Sequence, residues 1–277
     1  MLYLNFPESP ERLTPAEQNI LDFIEEYREE FLFMTIGQMA ERLGVSEATI
    51  SRFARHMGCQ DFKSLKAAVM EQSRPQGAVG KLAQTLLKDE AFQAAGYFQT
   101  QMRFLEKTAE NLDPEVFDQA AAAILSAGRI FIHGKSASAS MAQLLFFRLR
   151  RLGLAVSLLP SGGSEIAEGL ALAGPKDLVI LFCFSKISSE ARFLLDCRKT
   201  AGYKTLAFTS RLRAQPKEQA DLNLYVCRGP EQEYHSMTAA AAMIDALVVA
   251  VSKKAGPEGM KNLSAVQDLK KRYGNGT

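Results

Sequence analysis

Residues 47–56, EATISRFARH, carry hydroxyls, guanidiniums and an imidazole at a spacing that suits nucleic-acid reading. On a helix, Ile50, Phe53, Ala54 and Met57 share one apolar face. The opposite face then presents Glu47, Ala48, Thr49, Ser51, Arg52, Arg55 and His56. Ala48 and Thr49 are small enough to approach base edges; a methyl there meets a thymine methyl, and the threonine hydroxyl bonds either edge. Arg52 reaches a guanine or a phosphate. By spacing alone an ordinary helical hairpin with solvated arginines reads the same way. Two further stretches carry anion chemistry: Gly134-Lys135-Ser136-Ala137-Ser138 and Ser185-Lys186-Ile187-Ser188-Ser189-Glu190. Each places hydroxyls, backbone N–H groups and a lysine where a helix begins, and a helix N-terminus favours an anion such as phosphate. Serines that merely cap their helices are the plainer reading of either loop taken singly. Glu233 and His235 offer a general base before the last long helix, although a helix-start histidine without a role fits equally.

The elements that position the first set are legible. Ile36, Met39, Ala40 and Leu43 repeat the helical apolar spacing, and Thr35 with Gln38 is a capping box. Gly44 closes that helix in the left-handed conformation and Ser46 caps the next. This is the layout of a helix-turn-helix, whose second helix enters the major groove. Candidate DNA contacts are therefore Thr35, Ser46, Ala48, Thr49, Ser51, Arg52, Arg55 and Lys63. Thr14-Pro15-Ala16-Glu17 opens an earlier helix with a stripe of Ile20, Phe23, Ile24, Tyr27 and Phe31, expected to pack across the pair. Gly58 ends the reading helix, and Asp61 caps another with Phe62, Leu65 and Val69 inward. Residues 8–30 are strongly acidic and 42–74 lean basic, so phosphate attraction falls on one side only.

Pro75-Gln76-Gly77 marks a break, and residues 78–111 read as a helical connector. From Asp113-Pro114 onward strands alternate with helices. Strands are expected at 129–133, 155–159, 178–184, 205–208 and 222–226, and helices at 138–152, 164–172, 188–201, 235–255 and 260–273. The run LVILFCF suits a central parallel strand buried on both faces. The expected fold is an all-α helix-turn-helix domain (1–75), a helical connector (76–112) and an α/β three-layer sandwich with a mostly parallel sheet (113–277).

Composition excludes several classes. The 277 residues carry a formal net charge of +2, which by itself names no partner. No apolar run is long enough to span a membrane, and the first residues lack the pattern of a signal peptide. Four cysteines without CxxC pairs fit neither a zinc site nor a disulfide framework and agree with a reducing cytoplasm. No metal or cofactor is expected.

Residues 35–66, TIGQMAERLGVSEATISRFARHMGCQDFKSLK, resemble the helix-turn-helix of the RpiR family of bacterial regulators, through VSEAT, RF, and the later G and FxxLK. Residues 128–255 resemble the SIS (sugar isomerase) domain that follows it there. The resemblance implies a cytoplasmic, homodimeric or homotetrameric regulator of a carbohydrate operon. It implies binding to double-stranded, pseudo-palindromic operator DNA, no enzymatic activity, and a phosphosugar held by Gly134, Lys135, Ser136, Ser138, Ser185, Lys186, Ser188 and Ser189. A phosphosugar isomerase and a regulator with a degenerate sensor are the alternatives. Three positions depart from the family's loops: Ser136 stands for a glycine in GxGxS, and Cys183 and Lys186 for a serine and a glycine in SxSGxT. If residue 186 requires a positive φ, lysine there costs on the order of 1 kcal/mol; otherwise Lys186 offers the phosphate a cation.

Overall fold

The computed structural model describes residue 4 and residues 6–8, 12–73, 77–88 and 92–274. The chain forms two compact units: residues 1–97 with 229–235, and residues 98–228 with 236–277. The expected break at Pro75-Gln76 and the Asn275–Thr277 tail lie outside the described residues.

The first unit is helical: α1 (Pro15–Glu26), α2 (Arg28–Phe33), α3 (Ile36–Leu43), α4 (Glu47–His56), α5 (Phe62–Ser73) and α6 (Gly77–Lys88). Its local signals act as the residues require. Thr14 and Glu17 cap each other at α1, as do Thr35 and Gln38 at α3. Gly44 takes φ 65°, and Ser46 accepts the Thr49 amide. Asp61 accepts the Ser64 amide at 2.7 Å while Ser64 Oγ accepts the Asp61 amide at 2.9 Å. Ile20, Ile24, Phe31, Leu32, Met39, Ile50, Phe53 and Leu65 share a core from which water is excluded. The stripe read as one helix through Phe31 is two. Tyr27 leaves helical geometry (φ −118°, ψ 45°) and is 41 % exposed. Phe31 and Leu32 therefore reach the core from a separate short helix, where both are fully buried.

In the second unit α7 (Ala94–Glu110), whose first residues lie in the first unit, leads to α8 (Pro114–Ser126). The connector expected as one stretch is thus α6 and α7, with residues 89–91 between them outside the description. Then come β1 (Ile130–Gly134), α9 (Ala137–Arg151), β2 (Val156–Leu158), α10 (Glu165–Leu170), β3 (Leu178–Phe182), α11 (Ser189–Ala201), β4 (Lys204–Thr209), a short 3₁₀ turn (Pro216–Glu218), β5 (Leu222–Tyr225) and α12 (Thr238–Gly274). The five strands are parallel in the order β2-β1-β3-β4-β5. Ile130 and Ile132 face α8, α9 and α12; Phe131, Val179 and Leu181 face α10 and α11. Every residue of β3 is buried, as its unbroken apolar run requires. Asp177 and Arg129 join the starts of β3 and β1 by an ion pair at 2.8 Å. α12 is interrupted at Gly256 (φ 59°, ψ −145°) before Pro257, so its two halves correspond to the two helices expected at 235–255 and 260–273. No described helix is long and apolar enough to cross a membrane.

Candidate nucleic-acid interface and effector site

In the first unit α4 is fixed from behind and open in front. Ile50, Phe53 and Ala54 are fully buried among α1, α3 and α5. His56 Nδ1 lies 2.8 Å from Glu17 Oε1, which ties the end of α4 to α1. Burial would raise the Glu17 carboxyl, but bonds from the Thr14 amide, the His56 ring and the Thr14 hydroxyl outweigh it and hold the group below its ordinary range. Ser46, Ala48, Arg52 and Arg55 are exposed, and Thr49 and Ser51 half-buried. Ser46 Oγ and Thr49 Oγ1 are 2.8 Å apart, and Arg52 donates to Thr49 Oγ1 at 3.4 Å. A hydroxyl, a methyl and a guanidinium are thus arrayed on the first two turns. Thr35 and Lys63 are exposed at the starts of α3 and α5. This is a rigid backing with a polar, cationic front, as groove reading demands.

In the second unit the chain leaves β1 toward β2 on one side and returns to β3 on the other. Ligands in such sheets bind outside the carboxyl ends of the strands at this reversal. Both hydroxyl-rich loops fall there. Lys135 Nζ donates to Glu190 Oε1 at 2.7 Å across the two loops. That bond first, with the Glu190 amide and the Ser188 hydroxyl, pulls the Glu190 carboxyl down to about 2. Ser188 caps α11, accepting the Ala191 amide at 3.1 Å. Ser185 and Ser138 are half-buried; Ser136, Lys186 and Ser189 are exposed.

The departures from the family loops resolve unevenly. The strained position is Ser136 (φ 54°, ψ −128°), the sole non-glycine with positive φ among the described residues. Lys186 therefore carries no left-handed strain. Ser136 takes a backbone conformation that favours glycine, and its side chain makes no cap bond to α9. Ser136→Gly is expected to stabilise the protein by about 1 kcal/mol, read from urea denaturation, through relief of that strain; equal or lower stability would show an unstrained turn. Cys183 faces the α10–α11 core, where burial pushes its thiol up to about 11. It is a core side chain.

Three features of this edge escaped sequence reading. His133, the residue before Gly134, is 2 % exposed. Its Nδ1 lies 3.2 Å from the Pro160 carbonyl, which fixes that nitrogen as the donor and leaves Nε2 an acceptor. Burial pushes the imidazole down from its ordinary value, so it is held neutral. Among the described residues neither His133 Nε2 nor Glu190 Oε2 has a hydrogen-bond partner, although both are enclosed. The loop after β2 also closes on the edge: Ser161 Oγ bonds the Gly134 carbonyl at 3.4 Å, and a side chain at Gly162 would start 3.3 Å from Glu190 Oε1. A histidine inside an apolar strand was the one signal available. Glu233 and His235 belong to the first unit, where the His235 ring contacts Lys81 and the Pro230 carbonyl.

A helix-turn-helix with a supported reading helix, joined to a parallel-sheet domain with a ligand edge, defines a DNA-binding transcriptional regulator with a sensor domain. Comparison with known proteins agrees. The model of the helix-turn-helix domain of the rpiR family matches residues 4–76, and that of the SIS domain matches residues 123–250. The chain belongs to the RpiR family of transcriptional regulators. It is 26 % identical over 212 residues to an uncharacterized HTH-type transcriptional regulator of Providencia stuartii, covering 76 % of this chain and 74 % of the relative. A similar regulator of Haemophilus influenzae is 27 % identical over 214 residues, with the same coverage. Two solved structures share the fold. The sugar isomerase domain of an RpiR transcription factor from Sphaerobacter thermophilus has TM-score 0.59 and 24 % identity over 63 % of this chain and 97 % of that one. The Vibrio vulnificus NanR protein complexed with ManNAc-6P has TM-score 0.57 and 19 % identity over 94 % of both.

Proposed function

We propose that this protein binds a pseudo-palindromic operator as a homodimer or homotetramer and regulates a carbohydrate-metabolism operon from the cytoplasm, under control of a phosphosugar. Residues 1–75 act as the reading head, 76–112 as the connector and 113–277 as the sensing and assembly domain. Ser46, Ala48, Thr49, Ser51, Arg52 and Arg55 face the groove, with Thr35 and Lys63 at the flanking phosphates. The effector lies between Gly134–Ser138 and Ser185–Ser189.

One observation carries the choice of ligand. The strand order sets two hydroxyl-rich helix starts side by side, and next to them lie two enclosed acceptors without donors, His133 Nε2 and Glu190 Oε2. Enclosed acceptors left unpaired are costly. A phosphosugar brings both what the helix starts attract and hydroxyls to donate to these acceptors; the Vibrio relative's ManNAc-6P is of that class. We read the site as a sensor rather than an isomerase. Glu190, with its pKa near 2, is too weak a base to remove a carbon-bound proton at neutral pH.

The test is a mobility shift on DNA upstream of the protein's own gene, with and without a panel of sugar phosphates including ManNAc-6P. A specific shift altered by one sugar phosphate is expected; a shift indifferent to all of them removes the sensor half. In the same assay Arg52→Ala is expected to weaken specific binding by about 1–3 kcal/mol and to relax preference at one base position. Equal loss on specific and random DNA would place Arg52 on a phosphate instead.

A further inference from the structure

Arg228 follows β5 and is only 8 % exposed. Its guanidinium carbon stands 4.2 Å from the centre of the Phe184 ring, and its Nε donates to the Ser236 carbonyl at 3.2 Å. No carboxylate pairs with it among the described residues. Burial alone lowers its pKa, to about 10, with no neighbouring charge contributing. Other arginines of this unit do meet carboxylates: Arg129 pairs with Asp177, Arg148 with Asp245, Arg198 with Asp221 and Arg211 with Glu218.

A buried cation without a counter-charge is unfavourable, and an aromatic face and one carbonyl offset only part of that cost. The start of α12 makes the imbalance larger. Ser236 Oγ accepts the Thr238 amide at 3.1 Å there, and a helix N-terminus adds partial positive charge beside the guanidinium. The location is also specific. Phe184, beneath the guanidinium, directly precedes Ser185 of the effector loop, and Arg228 lies at the same carboxyl edge of the sheet. In the effector loops themselves Lys135 is already held by Glu190. The edge therefore contains an unused, enclosed, planar cation built into its floor.

We propose that Arg228 is the receptor for an oxyanion of the effector, holding it against the N-terminus of α12 at the carboxyl edge of β3 and β5. The inference rests on the sensor reading above and names the residue that supplies its countercharge. A guanidinium pairs a phosphoryl or carboxylate group through two parallel N–H bonds, which a lysine cannot reproduce.

The experiment uses the full chain and three variants: Arg228→Met, which keeps the length and removes the charge, Arg228→Lys, and Lys135→Met. Binding of inorganic phosphate, glucose 6-phosphate, ManNAc-6P and gluconate is measured by calorimetry, with thermal melting in parallel. The probes separate a phosphoryl from a carboxylate source. We expect Arg228→Met to melt at or above the parent without ligand, since a buried uncompensated charge is gone. We expect it to lose roughly ten- to a hundredfold in affinity for the bound probe, with Arg228→Lys between the two. Unchanged affinity in Arg228→Met, with affinity reduced in Lys135→Met, would overturn this assignment and leave the sensor reading standing. Arg228→Met melting well below the parent would make Arg228 a structural strut and equally overturn it. A parent protein that binds none of the four probes would remove both.

Discussion

Phe53→Ala is expected to destabilise the first unit by about 3–5 kcal/mol and to abolish operator binding. Phe53 has no exposure and sits where α4 packs on α1, α3 and α5. A small helical unit has little stability in reserve, since domains of this size are held by only a few kcal/mol beyond their entropy cost. The loss therefore reaches the reading face, although Phe53 touches no DNA. Calorimetric melting should show the first unit's transition lowered or missing, while sugar-phosphate binding by the second unit persists. Operator affinity within twofold of the parent would mean that the core refills the cavity.

Gly134→Ala is expected to destabilise the second unit by about 3 kcal/mol and to remove effector binding. A Cβ at Gly134 would stand 2.5 Å from the Ser138 carbonyl oxygen, 2.8 Å from its carbon and 3.1 Å from the Ala139 nitrogen. All three atoms are backbone of the first turn of α9, so relief requires moving the helix start away from β1. That displacement carries Lys135 off Glu190 and opens the edge between the loops. Urea denaturation and calorimetry with a sugar phosphate check both parts. Retained affinity with lowered stability would separate the helix position from the binding site. Gly134 and Ser136 illustrate two different demands on one turn: the first needs the absence of a side chain for close approach, the second a backbone twist that a side chain tolerates at a cost.

What the sequence determined about this protein is what neighbouring residues decide between themselves. The caps at Thr14, Thr35, Ser46, Asp61 and Ser188, and the left-handed Gly44, are bonds spanning a few residues, so their residue types were sufficient. The alternation of strands and helices, and the buried run of β3, follow from period and composition. The strand order places both hydroxyl-rich loops at one edge, as a parallel sheet of this alternation allows. Tertiary structure decided the rest. It broke the first helix at Tyr27 and brought Phe31 and Leu32 to the core on a second, short helix. It put the backbone strain on Ser136 rather than Lys186, because the turn from β1 into α9 is the one that must twist. It paired Lys135 with Glu190 across 55 residues and, among the described residues, left His133 Nε2 and Glu190 Oε2 enclosed without donors and Arg228 buried without a carboxylate. These are balances of charge and hydrogen bonding among groups distant in sequence, and only the packed chain sets which groups meet and which are left without a partner.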